Sequence, residues 1–237
     1  MFAVISDIHA NLEALETVLA YLDQHDIGKI YCLGDIIGYG PDPLQVTELI
    51  KERNIVTCMG NHDAALLDPL KSMRFNPIAL MAIEWTRRQI TTSQLTWLSG
   101  NPYTFAREEC FFVHASPAFP EHWEYISYPS QAREQFDAFS EKVCFIGHTH
   151  YPTIICEDGS SDFNSYVRLD LTKKYLINAG SVGQPRDGDP RACFLTFKPG
   201  SGEIEYIRLA YDFKKTQKKI ANSDLPEYLA ARLARGR

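Results

Sequence analysis

Five short apolar runs in this chain each end in residues that can hold metal ions or move protons. Val4-Ile5-Ser6 runs into Asp7-Ile8-His9, and Lys29-Ile30-Tyr31-Cys32-Leu33 into Gly34-Asp35. Ile55 to Met59 leads to Gly60-Asn61-His62-Asp63, Cys110-Phe111-Phe112-Val113 to His114, and Val143-Cys144-Phe145-Ile146 to Gly147-His148-Thr149-His150. A single Gly-Asp at a strand end serves as readily as a turn or a helix cap, and a single histidine as a satisfied core side chain. Five of the seven histidines fall in such places, which points to one constellation; His25 and His122 stand outside it. Carboxylate, carboxamide and imidazole without thiolate form a donor set for borderline divalent ions such as Mn²⁺, Fe²⁺, Zn²⁺ or Ni²⁺.

The runs are short and rich in β-branched and apolar residues, so they read as strands. Glycine beside Asp35 lets the backbone turn sharply and leaves the carboxylate unshielded. In open α/β sheets, ligands gather beyond the carboxyl ends of strands. Between the runs, Leu12, Leu15, Val18, Leu19 and Leu22 recur at helical spacing over 11–24. Asn11 is either the cap of that helix or a phosphate contact at its N-terminus. Pro43 opens a second helix with Val46, Leu49 and Ile50 inward. The βαβαβ order predicts a parallel sheet whose ligand-bearing loops share one rim.

A helical pattern covers 68–94 around Ile78, Ala82, Trp85 and Ile90, with Pro77 in a first turn. Arg74 in this stretch is a candidate substrate contact, the alternative being a solvated side chain. The segment 117–129, with Phe119, Trp123, Tyr125 and Tyr128, forms either a wall of the cleft or a packed surface loop. Beyond His150 the texture turns to strands at 153–155, 166–169, 175–177, 192–197 and 203–209, with hairpin turns at 158–161 and 198–202. These later strands are expected to form a second sheet packed on the first.

A chain of 237 residues fits one domain with a sizeable core. Its formal net charge of -6 argues against a general nucleic-acid binder, since that affinity rests on clustered Lys and Arg. A phosphate substrate stays open, because bound dications reverse the local field. No apolar stretch is long enough to span a membrane, and Met1 to Asp7 lacks the basic start of a secretory signal. The expected location is cytoplasmic, with the six cysteines, none in a Cys-x-x-Cys pair, as reduced core thiols.

The ordered set Asp7-x-His9, Gly34-Asp35, Gly60-Asn61-His62-Asp63, His114 and Gly147-His148-Thr149-His150 resembles the calcineurin-like metallophosphoesterase superfamily. Gly34-Asp35-x-x-Gly38-Tyr39-Gly40 and the later Asn178-Ala179-Gly180-Ser181 are similar to its small bacterial phosphodiesterase-like members. The resemblance implies an α/β fold, a four-layer αββα sandwich with two mixed β-sheets. It also implies two divalent ions, manganese foremost. One would take Asp7, His9 and His150, the other Asn61, His114 and His148, with Asp35 bridging. A negative bridge is needed because dications about 3.5–4 Å apart repel strongly.

By the same resemblance, a metal-bridging hydroxide attacks the phosphorus in line and His62 protonates the leaving oxygen, with second-shell support as the alternative role for His62. Asp63 either orients His62 or caps a helix. Phosphoprotein phosphatases and dinucleoside tetraphosphatases of the superfamily tend to carry Asp or Arg after Gly-Asp, where this chain has Gly38 and Tyr39. That departure favours a phosphodiesterase acting on a small phosphodiester or nucleotide-like substrate over a phosphomonoesterase or phosphoprotein phosphatase. A non-catalytic metal-binding scaffold is disfavoured by the complete set. Asn61, Ser181 and Arg186 are candidate substrate contacts, Arg186 through a bidentate clamp; a plain structural turn is the alternative for the Gly180 to Arg186 loop. Residues 1–211 are expected to form the catalytic domain. Residues 212–237 are expected to be a basic segment with a docked helix built on Leu225, Leu229 and Leu233, a partner-binding role being the alternative.

Overall fold

Alternation of side chains decides the layers, because successive residues of a strand face opposite sides. In the first strand Phe2 and Val4 enter one apolar cluster while Ala3 and Ile5 enter another. The computed structural model describes residues 1–237. Its elements run β1 (Phe2–Ile5), α1 (Leu12–Gln24), β2 (Ile30–Cys32), α2 (Pro43–Glu52), β3 (Val56–Thr57), α3 (Asn61–Leu67), α4 (Pro77–Gln89), α5 (Thr92–Ser99), β4 (Thr104–Arg107) and β5 (Cys110–Val113). There follow α6 (Pro129–Ala132), β6 (Val143–Ile146), β7 (Thr153–Cys156), β8 (Ser161–Asp162), β9 (Tyr166–Arg168), β10 (Tyr175–Asn178), β11 (Ala192–Lys198), β12 (Glu203–Leu209), α7 (Phe213–Ala221) and α8 (Glu227–Leu233).

Two six-stranded mixed sheets result, ordered β3-β2-β1-β11-β12-β9 and β4-β5-β6-β10-β7-β8. Strands β1, β2 and β3 are parallel, as are β5, β6 and β10. Phe2, Phe112, Phe145, Ile177, Leu195 and Phe197 fill the space between the sheets. Ala3, Ile5 and Phe194 instead meet Leu15, Val18 and Leu22 of α1 on the outside of the first sheet. Val113, Cys144, Ile146 and Leu176 meet Ala132, Phe136 and Phe139 outside the second. This is the four-layer αββα sandwich.

The partition of strands differs from expectation. The strands after His150 do not form one sheet: β9, β11 and β12 complete the first, while β7, β8 and β10 extend the second. Strands covered on both faces are apolar throughout, so their sequence carries no mark of which sheet they join. The helical pattern over 68–94 is also interrupted. A 3-10 turn occupies Pro69–Ser72, α4 ends at Gln89, and Ile90 is extended. Thr91 and Gln94 then cap each other reciprocally, which starts α5 as a separate helix. Asn11 is a cap: its Oδ1 accepts from Ala14 N at 3.2 Å while its Nδ2 donates to Gly183 O at 2.8 Å.

The basic run after Asp212 forms α7, so two helices dock where one was expected. Ile220, Leu225, Leu229 and Leu233 pack on Ala79, Ala82 and Trp85 of α4. Lys219 Nζ lies 2.6 Å from Glu13 and 2.8 Å from Asp42, both acids being 5% exposed. No helix is long and apolar enough to cross a membrane, and all six cysteines are buried and free.

Lys219→Met removes the cation shared by both acids: Glu13 keeps Lys215 at 3.1 Å, while Asp42 is left buried without an ion pair. Because the Lys219 side chain is itself 29% exposed, the expected loss is about 2–3 kcal/mol, below the roughly 3–5 kcal/mol of a fully enclosed pair. Urea denaturation measures it, and an unchanged midpoint overturns the assignment of Lys219 as the anchor of the tail.

Candidate active site

The ligand-type residues converge at the rim where the two sheets meet, and their backbone is bent to bring them there. Asp7, His9, Asp35, His148 and His150 all have φ between 49 and 66°. Each such non-glycine residue costs roughly 1–3 kcal/mol and survives only where its surroundings over-determine it. Here Asp7 N donates to Gly34 O, His9 N to Asp35 O and His148 N to Asp7 Oδ2, so each loop is held by another. Gly60 is required for close approach, since a Cβ there would lie 2.2 Å from Asp35 Oδ1.

Three histidines are oriented in one way. His9, His114 and His150 place Nδ1 against the carbonyls of Ile37, Leu33 and Gln184, at 3.2, 3.0 and 2.5 Å. A carbonyl only accepts, so Nδ1 carries a proton and Nε2 faces inward, as a bare lone pair in His9 and His150. There it meets other acceptors. His9 Nε2 and His150 Nε2 stand 3.1 Å apart, and His150 Nε2 is 3.1 Å from Asp7 Oδ1. His114 Nε2 is 3.1 Å from Asn61 Oδ1 and 3.4 Å from Asp35 Oδ2. His148 is oriented the other way round, its Nε2 donating to Trp123 O at 2.9 Å, which leaves Nδ1 free.

Acceptors crowded together repel unless a cation lies among them. Donors bound to one ion at about 2.0–2.2 Å stand about 3–3.5 Å apart, close to these spacings. Asp7 Oδ1 is buried with no hydrogen-bond donor, as such a site requires. Asp7, His9 and His150 form one group able to hold an ion; Asp35, His114 and His148 form another; His9, Asp35 and His62 form a third. Asp35 belongs to two of the three, with Oδ2 also 3.7 Å from His9 Nε2.

Electrostatics follow from burial set against charge. Burial raises both Asp7 and Asp35, but His150 and His114 outweigh it for Asp7, and His114 and His62 for Asp35, so both carboxyls lie below the usual range. Burial pushes His148 down to about 3 and His62 to about 4, and it also lowers His9 and His150. His114 runs the other way: burial opposes its charge, yet Asp35 and Asp7 lift it to about 9.

His62 packs on Tyr39, Phe75 and His9 with ring centroids 4.5, 4.7 and 4.9 Å away, and its buried Nδ1 has no partner. Asp63 makes no hydrogen bond to that ring, and of its two expected roles its hydrogen bonds fit the helix cap. Its oxygens accept from Gly60 N at 3.1 Å, Ile36 N at 3.1 Å and Ile37 N at 3.3 Å. It thus caps α3 and pins the Asp35 loop; burial and the charge of Asp35 raise its carboxyl to about 7. Ser181 is also turned away from any substrate: it is fully buried, and its hydroxyl donates to Asp7 O while accepting from Gln184 N. Arg186 is half-buried, holding Gln184 Oε1 at 2.9 Å and lying over the Tyr39 ring.

A cavity of about 750 Å³ opens onto Asn61, His62 and His148. Arg74 and Phe75 line one side, Trp123 and Tyr125 the other, so the segment after His114 does wall the cleft. Tyr125 stacks on His148 at 4.1 Å, and Trp123 reaches its place through a left-handed φ of 56°. Tyr39 was not foreseen as a site residue, and neither were the orienting carbonyls of Leu33 and Ile37. Backbone acceptors leave no trace in residue identity; for Tyr39 the signal is its place between two glycines, four residues after Asp35, in the motif quoted above.

A family model described as the calcineurin-like phosphoesterase superfamily domain matches residues 1–200. An uncharacterized protein of Methanocaldococcus jannaschii is 41% identical over 242 aligned positions, which cover 100% of this chain and 98% of that protein. The crystal structure of a metallophosphoesterase from Sphaerobacter thermophilus superposes with a TM-score of 0.86 at 40% identity, covering 100% of this chain and 98% of the other. A symmetrical bis(5′-nucleosyl)-tetraphosphatase of Wigglesworthia glossinidia brevipalpis is 33% identical over 103 residues, 36% of this chain and 37% of its own length. The chain belongs to the calcineurin-like phosphoesterase superfamily, a metal-dependent family, and is a hydrolase of the phosphoester class.

Proposed function

We propose that the chain is a dinuclear phosphodiesterase acting on a small phosphodiester or nucleotide-like substrate. The inward-facing Nε2 atoms of His9, His114 and His150 beside the bare oxygen of Asp7 carry this reading. Asp7, His9 and His150 would hold one ion, Asn61, His114 and His148 the other, and Asp35 both. Oxygen donors mixed with imidazole suit manganese. Bound there, the ions supply Lewis acidity toward a phosphoryl oxygen and acidify water toward a pKa of about 7.

The remaining roles fall to the chain. Phe75 and Tyr39 close one side of His62 and exclude water from it. His62 delivers a proton to the leaving oxygen. Burial holds it neutral, at about 4, in the absence of substrate, and an anionic phosphate against the ring pushes that value back up. Trp123 and Tyr125 offer an aromatic wall to the organic part of the ester. Free buried thiols fit the reducing cytoplasm.

The screen that decides the substrate class sets manganese-reloaded protein against phosphomonoesters, linear and cyclic phosphodiesters, and phosphopeptides. Turnover of monoesters alone refutes the diesterase assignment. His62→Asn should lower kcat on an alkyl phosphodiester by about 100-fold or more, and on bis(p-nitrophenyl) phosphate far less, because that leaving group needs little protonation. Equal loss on both substrates removes His62 as the acid.

Metal loading tests the ligand assignment. With His114 raised to about 9, the metal-free chain carries a proton there at neutral pH. That proton must leave when an ion binds, so affinity should climb with pH until about 9 and then level off. Calorimetry at pH 7.5 in buffers of differing ionisation enthalpy should show about one proton released by this group. A count of zero rejects His114 as a ligand.

A further inference from the structure

Two guanidinium groups approach the same aromatic ring from distant parts of the chain. Arg186 and Arg232 have their guanidinium carbons 5.9 and 5.8 Å from the centroid of Tyr39, whose ring is 4.5 Å from that of His62. Arg232 comes from α8, beyond the residues matched by the family model. Both arginines are half-buried.

Arg186 is matched by no carboxylate, and Arg232 meets only the C-terminal one of Arg237, through Nε. The acids closest in sequence to Arg186 are already engaged, Asp187 by Arg208 and Asp189 by Arg191. Arg186 donates from Nε and Nη2 to the neutral Gln184 Oε1, and Arg232 donates from Nε to the Arg237 oxygen. Nη1 of Arg186 and both terminal nitrogens of Arg232 are left without a protein acceptor. Two like charges sharing one ring repel, and an anion between them relieves the repulsion. Burial and the charge of Arg186 both lower the pKa of Arg232, in keeping with that repulsion.

We propose that Arg186 and Arg232 form an anion subsite beside the ligand cluster, through which α8 grips a second phosphate of the substrate. The proposal rests on the reading of this site as a phosphoester site and narrows its substrate to a compound with two neighbouring phosphates. A doubly charged phosphate matches two cationic forks in charge and in bidentate geometry better than a single carboxylate does. Tyr39 holds both forks by stacking, and it stands where an arginine or acid would otherwise follow the Gly-Asp motif.

Calorimetric titration of the manganese-loaded full chain with AMP and with α,β-methylene-ADP, which differ by one phosphoryl group, tests it. The wild type should bind α,β-methylene-ADP about tenfold more tightly, Arg232→Gln should bring that ratio close to one, and Arg232→Lys should keep part of it. A ratio unchanged in Arg232→Gln overturns the subsite, and a lowered melting temperature with the ratio intact reduces Arg232 to a prop for α8. Equal binding of both nucleotides by the wild type overturns it as well. If the ratio responds to Arg232→Gln but no phosphodiester is turned over, the subsite stands and the diesterase reading falls.

Discussion

Asp7 and Asp35 carry negative charge at 0% and 1% exposure, and the surrounding structure answers the cost of putting it there. A buried carboxylate costs several kcal/mol unless opposite charge and hydrogen bonds compensate. Ser6 Oγ and His148 N serve one oxygen of Asp7, and His62 N serves one of Asp35. The other oxygen of Asp35 faces His114, but that of Asp7 faces His150, whose proton points away toward the Gln184 carbonyl. The compensation is therefore incomplete in the protein alone. A metal ion held there would supply what is missing, so its affinity and the folding stability would draw on the same free energy.

The sandwich makes that concentration of charge possible. The first sheet supplies Asp7, His9 and Asp35 from the ends of β1 and β2, and the second supplies His114, His148 and His150 from β5 and β6. Neither sheet has both halves of the donor set. The loop after β10 ties them together: Val182 N donates to Ser6 O, Gly183 N to Asp7 O, and Asn178 Nδ2 to Gly147 O. Asn178 and Ser181 therefore serve the site by fixing its ligands, which explains polar side chains at such depth with no path to substrate.

What could be read from the chain beforehand divides along physical lines. The donors were legible because residue type and strand-end position are both written in the sequence, and α1 and α2 because amphipathic spacing is local. The assignment of strands to sheets was not legible: β10 and β11 are apolar and covered on both faces, and only tertiary pairing separates them. The edge strand β4 was missed because Thr104 to Arg107 is partly exposed and lacks an apolar run. Asp63 and Ser181 each admit a functional and a structural reading in the sequence, for a common reason. A polar side chain near a site reads as functional until its hydrogen bonds are counted, and theirs are all made to backbone.

Charge offers the last instance of local structure overruling composition. A net charge of -6 argues against a general polyanion binder but leaves a small phosphate substrate open. Yet charges beyond about 8–10 Å are largely screened at physiological ionic strength, so the substrate responds only to what surrounds the opening. There Lys71 is matched by Glu121, while Arg186, over the Tyr39 ring, has only the neutral Gln184 on it. On the cavity wall Lys71 and Arg74 are balanced by Glu121 and Glu124, so any local excess of positive charge rests on Arg186 over Tyr39. The sign of the field that matters is set by which charges are left unpaired near the cleft.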